Sequence, residues 1–252
     1  MFRKDTFGHL IVLKRLLIGA IGAITYPGLS WLNRLRIEGT ENLNGLPQNG
    51  VLFVSNHQTY FADVITLMHI FCSHRQGKVN RLGRPSYLLR PKTDTFFVAA
   101  EETMKAGLLP KIFAYAGSVS IKRTWREGGK DINRQVDPSD ISNIGKALES
   151  GWVITFPQGT TKPFVPGRRG TVHIIRKYQP IVVPVVINGF RRAFDKKGLK
   201  LKKRGVELQV RFKPPLHLPS DLSAEETLEK IMEAIEQSEA FKPKPLHPHG
   251  SA

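Results

Sequence analysis

Four short segments stand out: three apolar runs closed by polar or glycine-bearing residues, 51–54 (Val-Leu-Phe-Val), 152–156 (Trp-Val-Ile-Thr-Phe) and 181–187 (Ile-Val-Val-Pro-Val-Val-Ile), and between the first two a strand-like piece that alternates, 117–123 (Gly-Ser-Val-Ser-Ile-Lys-Arg). Runs of this length predict buried strands. Between and after them, helical spacing is expected over 60–72, 139–149 and 223–241. The last stretch opens on Ser223 ahead of Glu225 and Glu226, a cap with an acidic first turn, and then repeats Leu228, Ile231, Met232 and Ile235 on one face. That spacing belongs to a helix packed on a core. Strands alternating with helices predict an α/β fold, a central mixed β-sheet layered by helices.

The first forty residues follow a different pattern. Lys14 and Arg15 precede a charge-free run over 16–33 that includes Ile18, Ile21, Ile24, Trp31 and Leu32. A membrane span needs about 20 apolar residues, and Gly19, Gly22, Pro27 and Gly28 interrupt this run. The expectation is a broken or shallowly inserted helical pair, with Lys14, Arg15, Arg34 and Arg36 at lipid head groups and Tyr26 and Trp31 near the interface. A buried core helix is the alternative. No small-x-small site marks the run as a cleaved signal peptide. The organisation read from the chain is a membrane-associating helical segment over 1–34, one domain over 35–241, and a flexible tail over 242–252. No repeat or long linker divides the 252 residues, a length one core can fill. His247 and His249 are read as part of that tail rather than as metal ligands.

The chemistry concentrates where the first strand breaks. Residues 55–63 read Ser-Asn-His-Gln-Thr-Tyr-Phe-Ala-Asp, so the run delivers His57 to a turn with Asp63 close behind. An imidazole, with an ordinary pKa near ~6.5, can take a proton from a hydroxyl at neutral pH. A neighbouring carboxylate would fix its tautomer and stabilise the imidazolium. On a regular helix, the six-residue offset turns ~240° at ~100° per residue and splays the pair, whereas an offset of five turns ~140°. A bulged turn would absorb the extra residue.

Taken in order, the four segments resemble the four motif blocks of the glycerolipid and lysophospholipid acyltransferases, the family of 1-acyl-glycerol-3-phosphate acyltransferase, over roughly residues 35–215. The family's blocks are Asn-His followed by four residues and Asp, a strand ending Ile-x-Arg, Phe-Pro-Glu-Gly-Thr-Arg/Ser, and a Val-Pro-Val strand. Here they stand as Asn56-His57 with Asp63, Ile121-Lys122-Arg123, Phe156-Pro157-Gln158-Gly159-Thr160-Thr161, and Val183-Pro184-Val185. The resemblance implies that His57 is the general base, Asp63 its partner, and Asn56 the residue that sets the turn. Arg123, Gln158, Gly159, Thr160 and Arg168 would hold the acceptor head group or the developing oxyanion. Five residues rather than four separate His57 from Asp63. Gln158 replaces a Glu, and Thr161 stands where Arg is common. Lys162, Arg168 and Arg169 are candidates to restore the charge, or else solvated loop cations.

The resemblance implies direct transfer of an acyl group from a coenzyme A or acyl-carrier-protein thioester, with no resident metal or redox cofactor. The acceptor it implies is a lyso-lipid, 1-acyl-glycerol-3-phosphate yielding phosphatidic acid. Gln158 and Thr161 leave two alternatives open: a phosphate-free lyso-lipid such as a lyso-aminolipid, and an inactive basic protein of the membrane surface.

Charge adds a partner. The formal charge is +17, and residues 191–204 carry eight cations in fourteen positions. Such a patch draws an anionic membrane surface or an acidic carrier protein. No nucleic-acid motif accompanies it, and the apolar N-terminus argues against that partner. The expected location is the cytoplasmic face of the cell membrane. The one cysteine, Cys72, excludes an internal disulfide; it reads as a small core residue, with a nucleophile as the alternative.

Overall fold

The computed structural model describes residues 3–122, 126–127, 130–131 and 137–243. In chain order the described elements are α1 (Ile11–Ser30), β1 (Arg34–Glu38), β2 (Val51–Ser55), α2 (Ala62–His74), β3 (Thr95–Ala100), α3 (Glu101–Lys105), α4 (Leu108–Tyr115), β4 (Ser118–Ile121), β5 (Arg126–Glu127), β6 (Lys130–Asp131), α5 (Pro138–Ser150), β7 (Trp152–Thr155), α6 (Arg169–Tyr178), β8 (Ile181–Asn188), α7 (Phe190–Ala193), β9 (Glu207–Phe212) and α8 (Ala224–Ala234). Seven strands form one mixed sheet in the order β1-β9-β8-β2-β7-β3-β4. Neighbours run parallel except β8 and β9, so β1 and β9 oppose the other five.

β2 lies at the centre, buried along its whole length. Val51 and Phe53 pack with α1 and α2 on one face, and Leu52 and Val54 with α5, α6 and α8 on the other. A strand covered on both faces cannot alternate apolar with polar, hence the unbroken run in the sequence. Pro184 tolerates the middle of β8 because its polar edge points toward β9, where the ladder is ending: its carbonyl accepts from Lys213, beyond the last residue of β9.

Crossover direction fixes where a site can form. From β2 the chain passes through α2 to β3 on one side, and from β7 it passes through α6 to β8 on the other. Right-handed crossovers in opposite directions put the two helices on opposite faces of the sheet. The loops leaving adjacent strands β2 and β7 therefore part, and a crevice opens between them at the carboxyl ends of the strands. This is the switch point at which open α/β sheets bind ligands.

The N-terminal segment is one continuous helix rather than an interrupted pair. Pro27 sits in its last turn, and Gly19 and Gly22 allow close approach instead of breaking it: a Cβ on Gly22 would lie 2.4 Å from the Leu88 side chain. Lys14, Ile18, Gly22, Tyr26 and Leu29 form the buried stripe. Lys14 is thus not at a head group: it is fully buried, 3.1 Å from Asp5 and 4.4 Å from the centre of the Phe96 ring. Tyr26 also turns inward, donating to the Gly83 carbonyl at 2.6 Å. The opposite face carries exposed Val12, Leu13, Leu16 and Ile24, followed by Trp31 just beyond the helix.

Candidate active site

His57 stands two residues past β2 and Phe156 one residue past β7, on the two walls of the crevice. Their rings stack at 3.8 Å between centres and 19° between planes. Asn56 makes the exit from β2 possible. Its side chain donates to the Ile187 carbonyl at 2.8 Å and accepts from the Ile187 N–H at 2.7 Å, extending the β2–β8 pairing after the backbone has left the sheet.

His57 Nδ1 lies 2.9 Å from Asp63 Oδ2. The helical-wheel objection to a six-residue offset does not apply, because only Asp63 is helical, in the first turn of α2, and His57 sits in the loop before it. No π-bulge is involved. Asp63 is fully buried and held from four directions. Besides His57, its Oδ2 accepts from the N–H groups of Gln58 at 2.5 Å and Thr59 at 3.1 Å, and its Oδ1 accepts from the Thr59 hydroxyl at 2.7 Å. A carboxylate in that setting only accepts, so Nδ1 of His57 carries the proton. Its Nε2 presents a lone pair.

Two further contacts brace this loop. Tyr60 and Phe61 donate their N–H groups to the carbonyls of Lys196 (3.1 Å) and Lys197 (2.9 Å). Gly198 follows with φ +76°, and a Cβ there would lie 2.6 Å from the Ala62 nitrogen and 2.7 Å from the Thr59 hydroxyl. Only glycine fits both the backbone angle and the gap. The basic run is therefore docked to the His57 loop through its backbone, while Arg192, Lys196, Lys197, Lys200, Lys202, Lys203 and Arg204 remain exposed.

Arg191 departs from that run. It is half-buried, and its Nη2 donates to the carbonyl of His57 at 3.2 Å and to that of Thr161. Burial pulls its pKa down, and the nearby Asp63 carboxylate opposes this. Composition made it one cation of a patch. Its place immediately beyond the β8 strand was the signal that separates it from the others.

The third-block residues separate. Gln158 is buried and turns into the protein: its Nε2 donates to the Val165 carbonyl at 3.0 Å and to Gln237 Oε1 at 3.2 Å. Gly159 takes φ +62° and donates to the Phe156 carbonyl at 2.9 Å. Thr160 accepts from the Lys162 N–H at 3.3 Å. Arg168, at the start of α6, donates its N–H to the Pro157 carbonyl at 2.8 Å, and Arg169 pairs with Glu225 away from the crevice. Gln237, which also accepts from Phe164 at 3.0 Å, carried no sequence signal. Arg123, His247 and His249 lie outside the described residues. Cys72 is buried, accepts from the Lys92 N–H, and its thiol is pushed up to about 11 by burial, which disfavours the thiolate a nucleophile needs. Among the described residues no group of three or more His, Cys, Asp or Glu side chains is placed to hold a metal ion.

A histidine held by a buried carboxylate at the switch point of an α/β sheet is an arrangement suited to general-base chemistry. The family model for Acyltransferase matches residues 34–188, more than half of the chain, and the protein belongs to that family. Among solved structures it is similar to the 1-acyl-sn-glycerophosphate (LPA) acyltransferase PlsC from Thermotoga maritima, with a TM-score of 0.53 and 19% identity over 91% of this chain and 81% of that one. At this identity the likeness speaks to the fold. A comparison with curated proteins finds no match.

Proposed function

We propose that the protein is a membrane-associated O-acyltransferase that moves a fatty acyl group from a coenzyme A or carrier-protein thioester to the free hydroxyl of 1-acyl-glycerol-3-phosphate, forming phosphatidic acid at the cytoplasmic face of the cell membrane. The observation that carries the chemistry is the His57–Asp63 pair, with Nε2 as the free base at the crevice. Nε2 takes the acceptor's hydroxyl proton as the oxygen attacks the thioester carbonyl. The C–S bond breaks on collapse of the tetrahedral intermediate, and the proton passes from His57 to the departing thiolate. Asp63 stabilises the imidazolium in between. Arg123 and Arg168 are assigned to the acceptor head group. Gly159 and Thr160, in the loop facing His57, are assigned to the acceptor or the oxyanion. No resident cofactor is part of the reading. The apolar outer face of α1 supports the membrane location, and the acceptor named for the similar Thermotoga maritima enzyme supports the substrate.

Gln158 favours a second reading, in which the acceptor is a phosphate-free lyso-lipid. The side chain is neutral and turned inward, and Thr161 is uncharged, so these two third-block positions offer no fixed charge to a phosphate. The test is acyl transfer by purified protein in vesicles, wild type beside His57→Ala, with both thioesters and both acceptors. Transfer that vanishes in the variant supports the base assignment, and the preferred acceptor decides between the two readings. Transfer that survives His57→Ala sinks the mechanism.

A further inference from the structure

Gln58 and Arg191 tie the His57 loop and the start of α7 together from both sides. Gln58 Oε1 accepts from the Phe190 N–H at 2.9 Å and the Arg191 N–H at 3.4 Å, while the Arg191 side chain returns to the carbonyl of His57. The same Nη2 reaches the carbonyl of Thr161 in the loop after β7. One guanidinium thereby bridges the two loops that part at the crevice, from a root in α7, the short helix that follows β8. At this level β2 and β7 have already ended, their pairing stopping at Val54 and Thr155, so the separation of the loops rests on side chains: this guanidinium and the His57–Phe156 ring stack.

We infer that Arg191 is a positioning residue that sets the distance between the base, His57, and the acceptor-side loop around Thr161. The inference rests on the acyltransferase reading for its kinetic consequence, though not for the contact itself. A guanidinium suits the task because its planar fork holds a fixed direction toward two carbonyls. A lysine ammonium on a flexible stem keeps the charge and loses that geometry. Misplacing a base by about 1 Å costs on the order of 10²-fold in rate. Arg191→Lys should therefore lower kcat by roughly 10- to 100-fold while KM for the acceptor moves less than about threefold.

The experiment pairs kinetics with amide exchange. Arg191→Lys and Arg191→Ala are assayed for kcat and KM with both acceptors, and methylguanidinium is added back to Arg191→Ala, where it should restore part of kcat. Hydrogen exchange of the same variants should quicken over 56–61 and 156–161 and stay unchanged along α2. Wild-type kcat in Arg191→Lys overturns the inference, as does a loss confined to KM for the phosphorylated acceptor, which would make Arg191 a head-group ligand. If the wild type transfers nothing to either acceptor, the substrate reading fails. Exchange then decides Arg191 alone, and unchanged protection of both loops in Arg191→Ala overturns it.

Discussion

Asp63 is a single buried carboxylate with a structural place in the His57 loop and, in the proposed mechanism, a chemical one. It accepts from two backbone N–H groups, one hydroxyl and the imidazole, so its charge stabilises the loop, whereas stabilising an imidazolium is its part in the proposed mechanism. The two roles respond differently to substitution. An asparagine can turn its oxygen toward the three N–H donors and its amide toward the Thr59 hydroxyl, which rotates to accept. All four contacts survive and only the charge is lost. Asp63→Asn is expected to keep its folded circular-dichroism spectrum and nearly normal lipid binding while turnover falls by about 10² or more, the scale of general-base effects. Near-normal turnover would mean that the charge is not used and that His57 needs only to be aimed. Asp63→Ala differs because it strands buried donors, each at about 1–3 kcal/mol, so that variant should lose stability along with activity.

At the scale of elements, α1 is tied to the domain through a polar contact inside an apolar layer. Thr25 of α1 donates its hydroxyl to the Ile21 carbonyl, leaving its oxygen to accept from His69 Nε2 on α2 at 3.0 Å, and His69 Nδ1 then accepts from the Tyr87 hydroxyl at 2.9 Å. Burial pulls the His69 pKa from 6.5 down to about 4. The unfolded chain therefore binds a proton between pH 6.5 and 4 that the folded chain does not. Stability is full above pH 6.5 and declines as the pH falls, by about 2 kcal/mol at pH 5. Denaturant titrations from pH 7 to pH 5 should show this slope in the wild type and a flatter one in His69→Gln; equal slopes would place the loss elsewhere.

The same elements show what could be read from sequence. The four segments became β2, β4, β7 and β8, with ends within two residues: β2, β7 and β8 are buried on both faces and leave an unbroken hydrophobic record, whereas the edge strand β4, Ser-Val-Ser-Ile, is marked by alternation instead. β1 and β9, Arg-Leu-Arg-Ile-Glu and Glu-Leu-Gln-Val-Arg-Phe, were passed over because half-exposed strands dilute that record with charge. Residues 223–241 gave a shorter helix that ends at Ala234, with Glu236 at φ 58°. His57 and Asp63 were legible because their contact is local to one loop, and Asn56 because it adjoins them, although its own partner, Ile187, is distant. Gln58, Arg191, Gly198 and Gln237 were not, because each acts on a segment distant in sequence and only the sheet order brings the partners together.

Across the whole molecule, strand direction aligns features that composition treated separately. β1 and β9 oppose the central strands, so their beginnings lie at the carboxyl-end rim where His57 stands. The end of α1 feeds β1 there, and the basic run feeds β9; the Gly205 N–H meets the Leu32 carbonyl at 2.7 Å. Exposed Ile24 and Trp31 thus share one edge of the protein with the exposed cations of 192–204 and the mouth of the crevice. A bilayer meeting this edge would take the apolar side chains into its acyl boundary and the cations among its phosphates, and deliver a lyso-lipid to His57 without its leaving the interface. The two contributions differ in their response to salt. Lys and Arg near an anionic surface contribute about 1 kcal/mol each and are screened, whereas buried apolar area is not. Substituting Leu16, Ile24 and Trp31 by Ser should weaken sedimentation with neutral and anionic vesicles alike by at least about tenfold, since even partial burial of one such side chain exceeds about 1 kcal/mol. The melting temperature should change little, because Leu16 and Ile24 are exposed and Trp31 meets the core only by an edge contact with Tyr26. Replacing Lys196, Lys197, Lys200 and Lys202 by Gln should weaken binding to anionic vesicles only, and added salt should erase the difference. Vesicle binding untouched by the first set would remove α1 from the interface, and salt-insensitive binding of the wild type to anionic vesicles would remove the basic run.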